Sequence, residues 1–140
     1  PIQSTSTRIL RMMNRKNFTD DVAEFVSHLR MINPRVVLRT DIIVGWPTET
    51  FAERQHTLEF VSKHFDEVAV YSIELSEDLP AWKYSADSFS SDELLDIQAA
   101  SREYLRNHGV VVHSGQQDDP TMESAEKARR ELRARKWTQL

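Results

Sequence analysis

The sequence predicts an α/β fold in which mostly parallel strands alternate with helices. A continuous apolar run at residues 42–44 is typical of a parallel strand covered on both faces, and the segment Gly45-Trp46-Pro47 ends it. Helical patterns precede and follow this run, and a second strand pattern comes after them. This helix–strand–helix–strand order argues for parallel pairing through right-handed crossovers.

The first half of the chain carries a start or stop signal for each expected element. Residues 1–4 are expected to be the end of a strand, and Ser6 is expected to cap a short helix that carries Ile9, Leu10 and Met13. Thr19 is expected to cap a second helix with one apolar face, which consists of Val22, Phe25, Val26, Leu29 and Ile32. Asn33-Pro34 ends that helix, and a strand is expected over 36–44.

The middle of the chain is expected to repeat this alternation. Thr50 and Glu53 have the spacing of a capping box for a helix that runs to about residue 64. A strand follows over 67–75, and the polar stretch 76–91 is expected to be an irregular connection lying across the body.

Helical patterns dominate the rest of the chain. Ser90 and Glu93 form a second capping box for a helix to about residue 107, which Gly109 can end. Residues 110–113 could form a short strand, and Pro120 opens a final helix. We therefore predict a βα unit over 1–85 and a helical extension over 86–140.

Composition excludes several classes of protein. The 140 residues suit one small domain, and the absence of cysteine rules out disulfides, a thiol nucleophile and a cysteine-ligated metal within them. This cysteine usage fits a reducing compartment such as the cytoplasm. The net charge of −4 does not indicate that the chain as a whole binds nucleic acid. No apolar stretch is long enough to cross a membrane. The last segment is basic, but interleaved glutamates favour a solvated helix over an RNA-binding one.

The end of the first complete strand is the candidate ligand-binding segment. In parallel α/β folds, ligands bind where strands end and the following helices begin, because free backbone N–H groups point there. Asp41 is an acidic residue inside an otherwise apolar strand, which calls for a specific role. The segment 40–50 is therefore expected to face a ligand.

Three segments carry a resemblance to a known family. They read Pro1-Ile2-Gln3-Ser4-Thr5-Ser6, Leu10-Arg11-Met12-Met13-Asn14-Arg15 and Thr40-Asp41-Ile42-Ile43-Val44-Gly45-Trp46-Pro47-Thr48-Glu49-Thr50. In order and spacing they resemble the second half of a radical S-adenosylmethionine (SAM) barrel. The nearest pattern is that of the methylthiotransferases acting on tRNA or ribosomal protein. The resemblance implies a partial (βα) barrel, the C-terminal half, with a helical C-terminal extension.

The resemblance also implies cofactors and site residues. In that superfamily a CxxxCxxC loop holds a 4Fe-4S cluster, which transfers an electron to SAM. Here that loop is absent, so SAM and the cluster are expected in a longer parent protein and not on this chain alone. The implied cofactor-facing residues are Gln3 and Asp41 at the ribose, Arg15 at the methionine carboxylate, Ile43 and Gly45 near the adenine, Tyr71 to Ile73 at the sixth-strand edge, and Ser4.

Two positions depart from the family pattern. Thr5 and Thr48 stand where the pattern has glycine. If the backbone needs a positive φ or a close cofactor approach at these positions, threonine is costly there.

Simpler roles remain open for the single residues. Asp41 could pair within the barrel, Arg15 could pair with Asp20, and Gln3 could satisfy a frayed strand end. Glu49 is expected to stabilise the positive N-terminal end of the following helix through its negative charge. Trp46 is expected to be a wall residue of the ligand site. The five histidines show no metal spacing and are expected to be surface or half-buried.

Two alternative functions stay open, one within the radical SAM superfamily and one outside it. The alternatives are another radical branch, such as the relatives of coproporphyrinogen oxidase, and a non-catalytic α/β module that binds a partner through an open sheet edge. The expected partners are the missing N-terminal half of the barrel and an unidentified substrate, with tRNA and protein as the candidates. Open strand edges also predict self-association.

Overall fold

The computed structural model describes residues 1–73, 75–114 and 131. The helices are α1 (Thr7–Met12), α2 (Thr19–Ile32), α3 (Phe51–His64) and α4 (Ser91–Asn107), and a 3₁₀ helix spans Pro80–Asp87. The strands are β1 (Arg39–Ile43), β2 (Glu67–Tyr71) and β3 (Val111–Ser114). They form one parallel sheet in the order β1-β2-β3. The predicted α/β class with parallel strands is confirmed, and the open sheet is consistent with part of a βα barrel.

A further chain segment borders β1 at the start of the sequence. Gln3 forms an isolated parallel bridge with Ile42, in which the Gln3 N–H donates to the Asp41 carbonyl and the Gln3 carbonyl accepts from the Ile43 N–H. The expectation that residues 1–4 end a strand is met in this minimal form.

Helices α3 and α4 cover one face of the sheet. The core on that face contains Ile42 and Val44 from the β1 segment, Val68 and Val70 from β2, and Leu58, Val61, Leu105 and Val112. Because side chains alternate along a strand, Asp41 and Ile43 lie on the opposite face, beside Ala69 and Tyr71 of β2. Four strand positions are thus turned away from the helical layer.

Three of the four predicted helix caps are confirmed. The Ser6 hydroxyl accepts from the Ile9 N–H, and both capping boxes, Thr50 with Glu53 and Ser90 with Glu93, are complete. The cap at Thr19 was wrong, because Thr19 is already helical and its N–H donates to the side-chain oxygen of Asn17. Gly109, with φ +80°, follows α4 as expected.

Both long strands are shorter than expected. The N–H of Leu38 donates to the Asp66 carboxylate and not to a neighbouring strand, so β1 begins at Arg39 and not at residue 36. β2 ends at Tyr71 and not at residue 75, and the next hydroxyl, that of Ser72, accepts from Gln98 of α4. At both ends a side-chain hydrogen bond forms beside the last ladder residue. The stretch expected to be irregular contains the 3₁₀ helix.

The apolar face of α2 is only partly buried. Val26 is buried, but Phe25 is 60% and Ile32 is 70% exposed. Phe18, Phe25 and Ile32 repeat every seven residues and so form one exposed stripe along the helix. The predicted apolar face therefore includes residues that no other described element covers.

Other expectations concern the end of the chain. Leu105 and Val112 belong to the same core as Ile42, and the boundary at residue 85 stays a prediction. The predicted strand at 110–113 is observed as Val111–Ser114, parallel to β2. The helix predicted from Pro120 lies outside the described residues. Within the described part of the chain, no helix has the length and apolar character needed to span a membrane.

Candidate ligand-binding edge

The loop after β1 is held in place by Glu49. The N–H of Val44 still donates to the Tyr71 carbonyl, and the chain then turns at Gly45, whose φ is +73°. The Gly45 N–H donates to Glu49 Oε2 at 2.8 Å. The N–H of Glu49 donates back to the carbonyl of Trp46 at 2.8 Å. Glu49 therefore ties this loop together, whereas it was expected to serve the start of the following helix.

The Glu49 carboxylate is buried, with a side chain only 1% exposed. Burial raises its pKa, and the Gly45 N–H and the Arg54 guanidinium, 3.3 Å away, oppose that rise. The loop thus has a polar centre whose charge depends on pH.

A cavity of about 390 Å³ opens beside this loop, at the carboxyl edge of the sheet. Gly45 and Ile73, two of the predicted site residues, line it. The remaining wall combines apolar and hydroxyl side chains from the loop, the connection after β2 and the start of α4: Pro47, Leu75, Trp82, Ser85, Ser88, Phe89, Ser91 and Leu94. This composition suits a small ligand that has both apolar and hydrogen-bonding groups.

The sheet face turned away from α3 and α4 holds three more predicted site residues. Asp41, Ile43 and Tyr71 alternate with the core positions and are turned away from α3 and α4. The Asp41 carboxylate lies 3.7 Å from the Arg39 guanidinium, and its side chain is 34% exposed. Asp41 thus has a local partner and is still accessible to a ligand.

Gln3 lies at the centre of a tight turn. Its φ is +63°, and the Ser4 N–H donates to the Ile2 carbonyl at 2.7 Å, which is the pattern of a γ-turn. Both backbone groups of Gln3 bond to β1. The backbone of Gln3 therefore joins the sheet, and its predicted side-chain role at a ribose stays a prediction.

Ser4 and Arg15 lie elsewhere. They line a second cavity of about 270 Å³, together with Pro1, Ile2, Leu10, Lys16, Asn17, Phe18, Thr19 and Val22. Ser4 is buried, and its hydroxyl accepts from the Ser6 N–H at 3.1 Å. Within the described residues Arg15 forms no ion pair, neither with Asp20 nor with another acid. The predicted residues are therefore divided between two cavities and the sheet face turned away from α3 and α4.

Thr48 has a backbone conformation that favours glycine. Its φ is +68°, which for a β-branched residue is a true outlier that costs about 1–3 kcal/mol. Thr5, the other departure from the family pattern, is not among the residues with positive φ. Its hydroxyl contacts His56 Nδ1 at 2.7 Å and Thr57 Oγ1 at 3.0 Å. Only one of the two replaced glycines therefore marks a strained position.

Sequence reasoning missed the side chain that contacts Thr48. Arg8 of α1 donates to the Thr48 hydroxyl and to the Thr48 carbonyl, at 2.7 Å each. The same guanidinium donates to both oxygens of Glu53, at 2.9 and 2.6 Å. The missing glycine at position 48 could have indicated the strain, but nothing local in the sequence points to a partner forty residues away.

A buried pair on β2 and β3 was also missed. His113 Nε2 lies 3.0 Å from Glu67 Oε2, and the two side chains are 4% and 3% exposed. The expectation that the histidines are surface or half-buried was wrong for His113. Strand alternation with Val112 was the available signal, because it places His113 on the face away from the α3–α4 core.

Among the described residues, two buried side-chain donors lack an acceptor. They are the indole N–H of Trp46, between the two cavity residues Gly45 and Pro47, and Nε of Arg102 in α4. Arg102 Nη2 donates to the Val70 carbonyl at 3.1 Å. Trp46 is 4% exposed and packs edge-on against Tyr84, with 6.4 Å between the ring centroids. It is not among the residues that line the cavity, so its wall role stays a prediction. Among the described residues, no group of three or more acidic or histidine side chains could hold a metal ion.

Comparison with known proteins points to one family of enzymes. No family model matches the sequence. Ribosomal protein uS12 methylthiotransferase RimO of Trichormus variabilis is 41% identical over 86 residues, which are 61% of this chain and 20% of that protein. RimO of Clostridium botulinum is 37% identical over 84 residues, which are 59% of this chain and 19% of that protein.

A tRNA-modifying enzyme matches over a longer stretch. The tRNA-2-methylthio-N(6)-dimethylallyladenosine synthase of Ehrlichia canis is 33% identical over 107 residues, which are 74% of this chain and 24% of that protein. The chain thus spans about a fifth to a quarter of the length of these relatives. Its homologues are methylthiotransferases, which confirms that the chain resembles the methylthiotransferase branch of the radical SAM superfamily over that part of their length.

Proposed function

We propose that this chain contributes the ribose- and adenine-facing part of a SAM site in an iron-sulfur enzyme of the methylthiotransferase type. One observation carries the proposal. Gly45, expected near the adenine, and Ile73, expected at the sixth-strand edge, line one cavity at the carboxyl edge of a parallel sheet. That edge is where α/β folds bind their ligands.

The chemistry of the edge fits a nucleoside. Asp41 lies outside that cavity, on the sheet face turned away from α3 and α4, and its accessible carboxylate can accept hydrogen bonds from the two vicinal hydroxyls of a ribose. The turn at Gly45 and the side chains of Pro47 and Phe89 give a flat ring an apolar wall. The Trp46 N–H is a further buried donor in this loop.

The iron-sulfur cluster does not fit this chain. Such clusters are held by cysteine thiolates, and none of the 140 residues is cysteine. In the proposal, the cluster and the reductive cleavage of SAM therefore belong to a longer parent protein. The partner of this chain is then the other half of the barrel, which would lie beside the Gln3 edge of the sheet.

The substrate of that parent is a separate question. The relatives are named for a ribosomal protein and for a tRNA nucleoside, and these two classes are the candidate substrates. A cytoplasmic location, where both occur, is part of the proposal. The methylthiotransferase names of the relatives favour this branch over the coproporphyrinogen oxidase-like one.

A nuclear magnetic resonance titration with 5′-deoxyadenosine tests the proposal on the chain itself. We expect shifts of the Gly45 and Ile73 amides, weakened by Asp41→Ala and unchanged by the matched control Asp20→Ala, an exposed acid on α2. Shifts at the Ser4–Arg15 cavity alone, or shifts of the Gly45 and Ile73 amides that Asp41→Ala leaves unchanged, would count against the proposal and favour a non-catalytic module.

A further inference from the structure

We propose that Arg8 is a positioning residue that holds the ligand-facing loop in a conformation normally reserved for glycine. The Arg8 clasp consists of Arg8 in α1, Thr48 in the loop between β1 and α3, and Glu53 in the first turn of α3. The inference rests on the proposed function only for the identity of the ligand, because the clasp itself can be tested without one.

The geometry of the clasp is specific to arginine. One guanidinium donates to two atoms of Thr48 and to both oxygens of Glu53. A planar fork with five N–H donors can make these bonds together, whereas an ammonium group is a compact charge that cannot reproduce the fork. Arg8 therefore fixes Thr48 relative to two helices at once.

The clasp contacts the residue that carries the strain. Thr48 is the only position between Trp46 and Thr50 with a positive φ. Its carbonyl and its hydroxyl each accept from Arg8 at 2.7 Å, so an orientation of the peptide that a β-branched residue resists is stabilised from outside. At this position the family pattern has glycine, which needs no such support.

Further hydrogen bonds connect the clasp to α1 and α3. Glu53 accepts from the Ser6 hydroxyl at 2.8 Å and from the Thr50 N–H at 2.9 Å, and it completes the capping box of α3. Thr48 also directly precedes Glu49, whose carboxylate holds the Gly45 N–H at the cavity. A displaced Thr48 would therefore move Glu49 and, through the hydrogen bond between them, Gly45, which lines the cavity.

Hydrogen exchange in the intact chain tests the inference. The Gly45 amide reports on the loop, and the Val44 amide, bonded to the Tyr71 carbonyl, reports on the neighbouring sheet. In Arg8→Ala we expect exchange of the Gly45 amide to accelerate about fivefold to thirtyfold, because the Arg8 clasp no longer offsets the backbone strain at Thr48. The Val44 amide should keep its rate, and so should both amides in the matched control Arg11→Ala, another exposed arginine of α1.

A second variant separates positioning from general stabilisation. Thr48→Gly removes the need for the clasp, so Arg8→Ala/Thr48→Gly should return Gly45 exchange close to the rate of the parent chain. If Arg8→Ala does not fold but the double variant does, the inference is supported in the same way. The inference is overturned if Gly45 exchange in Arg8→Ala is unchanged, or if the Val44 amide accelerates as much as the Gly45 amide. It is also overturned if the Gly45 amide of the double variant exchanges as fast as that of Arg8→Ala, or if the double variant folds no better than Arg8→Ala.

Discussion

Leu94 of α4 occupies the space that a side chain at Gly45 would need. A Cβ atom on Gly45 would lie 2.5 Å from Leu94 Cδ2, and Gly45 has a φ of +73°. A side chain at residue 45 would therefore require Leu94 to move, in addition to adopting a positive φ that only glycine adopts readily. This contact places the start of α4 against the cavity at the sheet edge.

Gly45→Ala is expected to destabilise the fold more than Gly109→Ala. Both positions have positive φ, which costs alanine about 1–2 kcal/mol, but a Cβ on Gly109 meets nothing within 4 Å. At Gly45 the obstructing methyl ends a flexible side chain, so we expect an added cost near the lower end of about 1–3 kcal/mol. Urea unfolding of both variants measures the difference, and equal losses would show that Leu94 yields freely.

Glu49 is expected to make the fold more stable as the pH falls. Burial raises its folded pKa above the unfolded value, so the charged form costs stability at neutral pH. That cost should diminish as the pH falls through the folded pKa, and it should be gone below the unfolded pKa of about 4.5. Glu49→Gln, which keeps an acceptor for Gly45, should remove this component.

Unfolding free energies at pH 7.5 and pH 5 measure this effect. The parent chain should gain stability relative to Glu49→Gln on acidification. The control Glu59→Gln, at an exposed position on α3, should follow the parent chain. A parent and a Glu49→Gln variant with the same pH profile would show that Glu49 is not strained by its burial.

The isolated chain is expected to bind SAM weakly or not at all. It lacks the cysteines that would hold the cluster, and the described sheet is open. Isothermal titration calorimetry of the 140-residue chain with SAM tests this expectation. A low-micromolar dissociation constant would mean that the pocket is complete without another half.

The chain is also expected to self-associate. Only the single bridge of Gln3 covers the outer edge of β1 within the described residues, and the stripe of Phe18, Phe25 and Ile32 on α2 is exposed. Unpaired strand edges and contiguous apolar patches both favour association. Light scattering at rising protein concentration should show a growing mean mass, and a constant monomer mass at high concentration would contradict the prediction.

The sequence predicted the fold better than the site. Caps at Ser6, Thr50 and Ser90 and the apolar run at 42–44 are local signals, and the structure follows them. The exposed Phe25 and Ile32 show the limit of periodicity, because a pattern states which residues share a face but not whether another element covers it.

Contacts between residues far apart in the sequence could not be predicted for the same reason. The bonds from Arg8 to Thr48 and from His113 to Glu67 join residues about forty positions or more apart, and no local pattern encodes them. The separation of Arg15 from Gly45 likewise depends on how α1 and the loop after it lie against the sheet, which spacing alone does not fix.

The sequence of the native transcript upstream of the Pro1 codon tests most directly whether this chain is half of a radical SAM barrel. We expect an open reading frame with a CxxxCxxC segment about a hundred residues before Pro1, the distance that half a barrel requires. A transcript whose start codon immediately precedes Pro1 would contradict it.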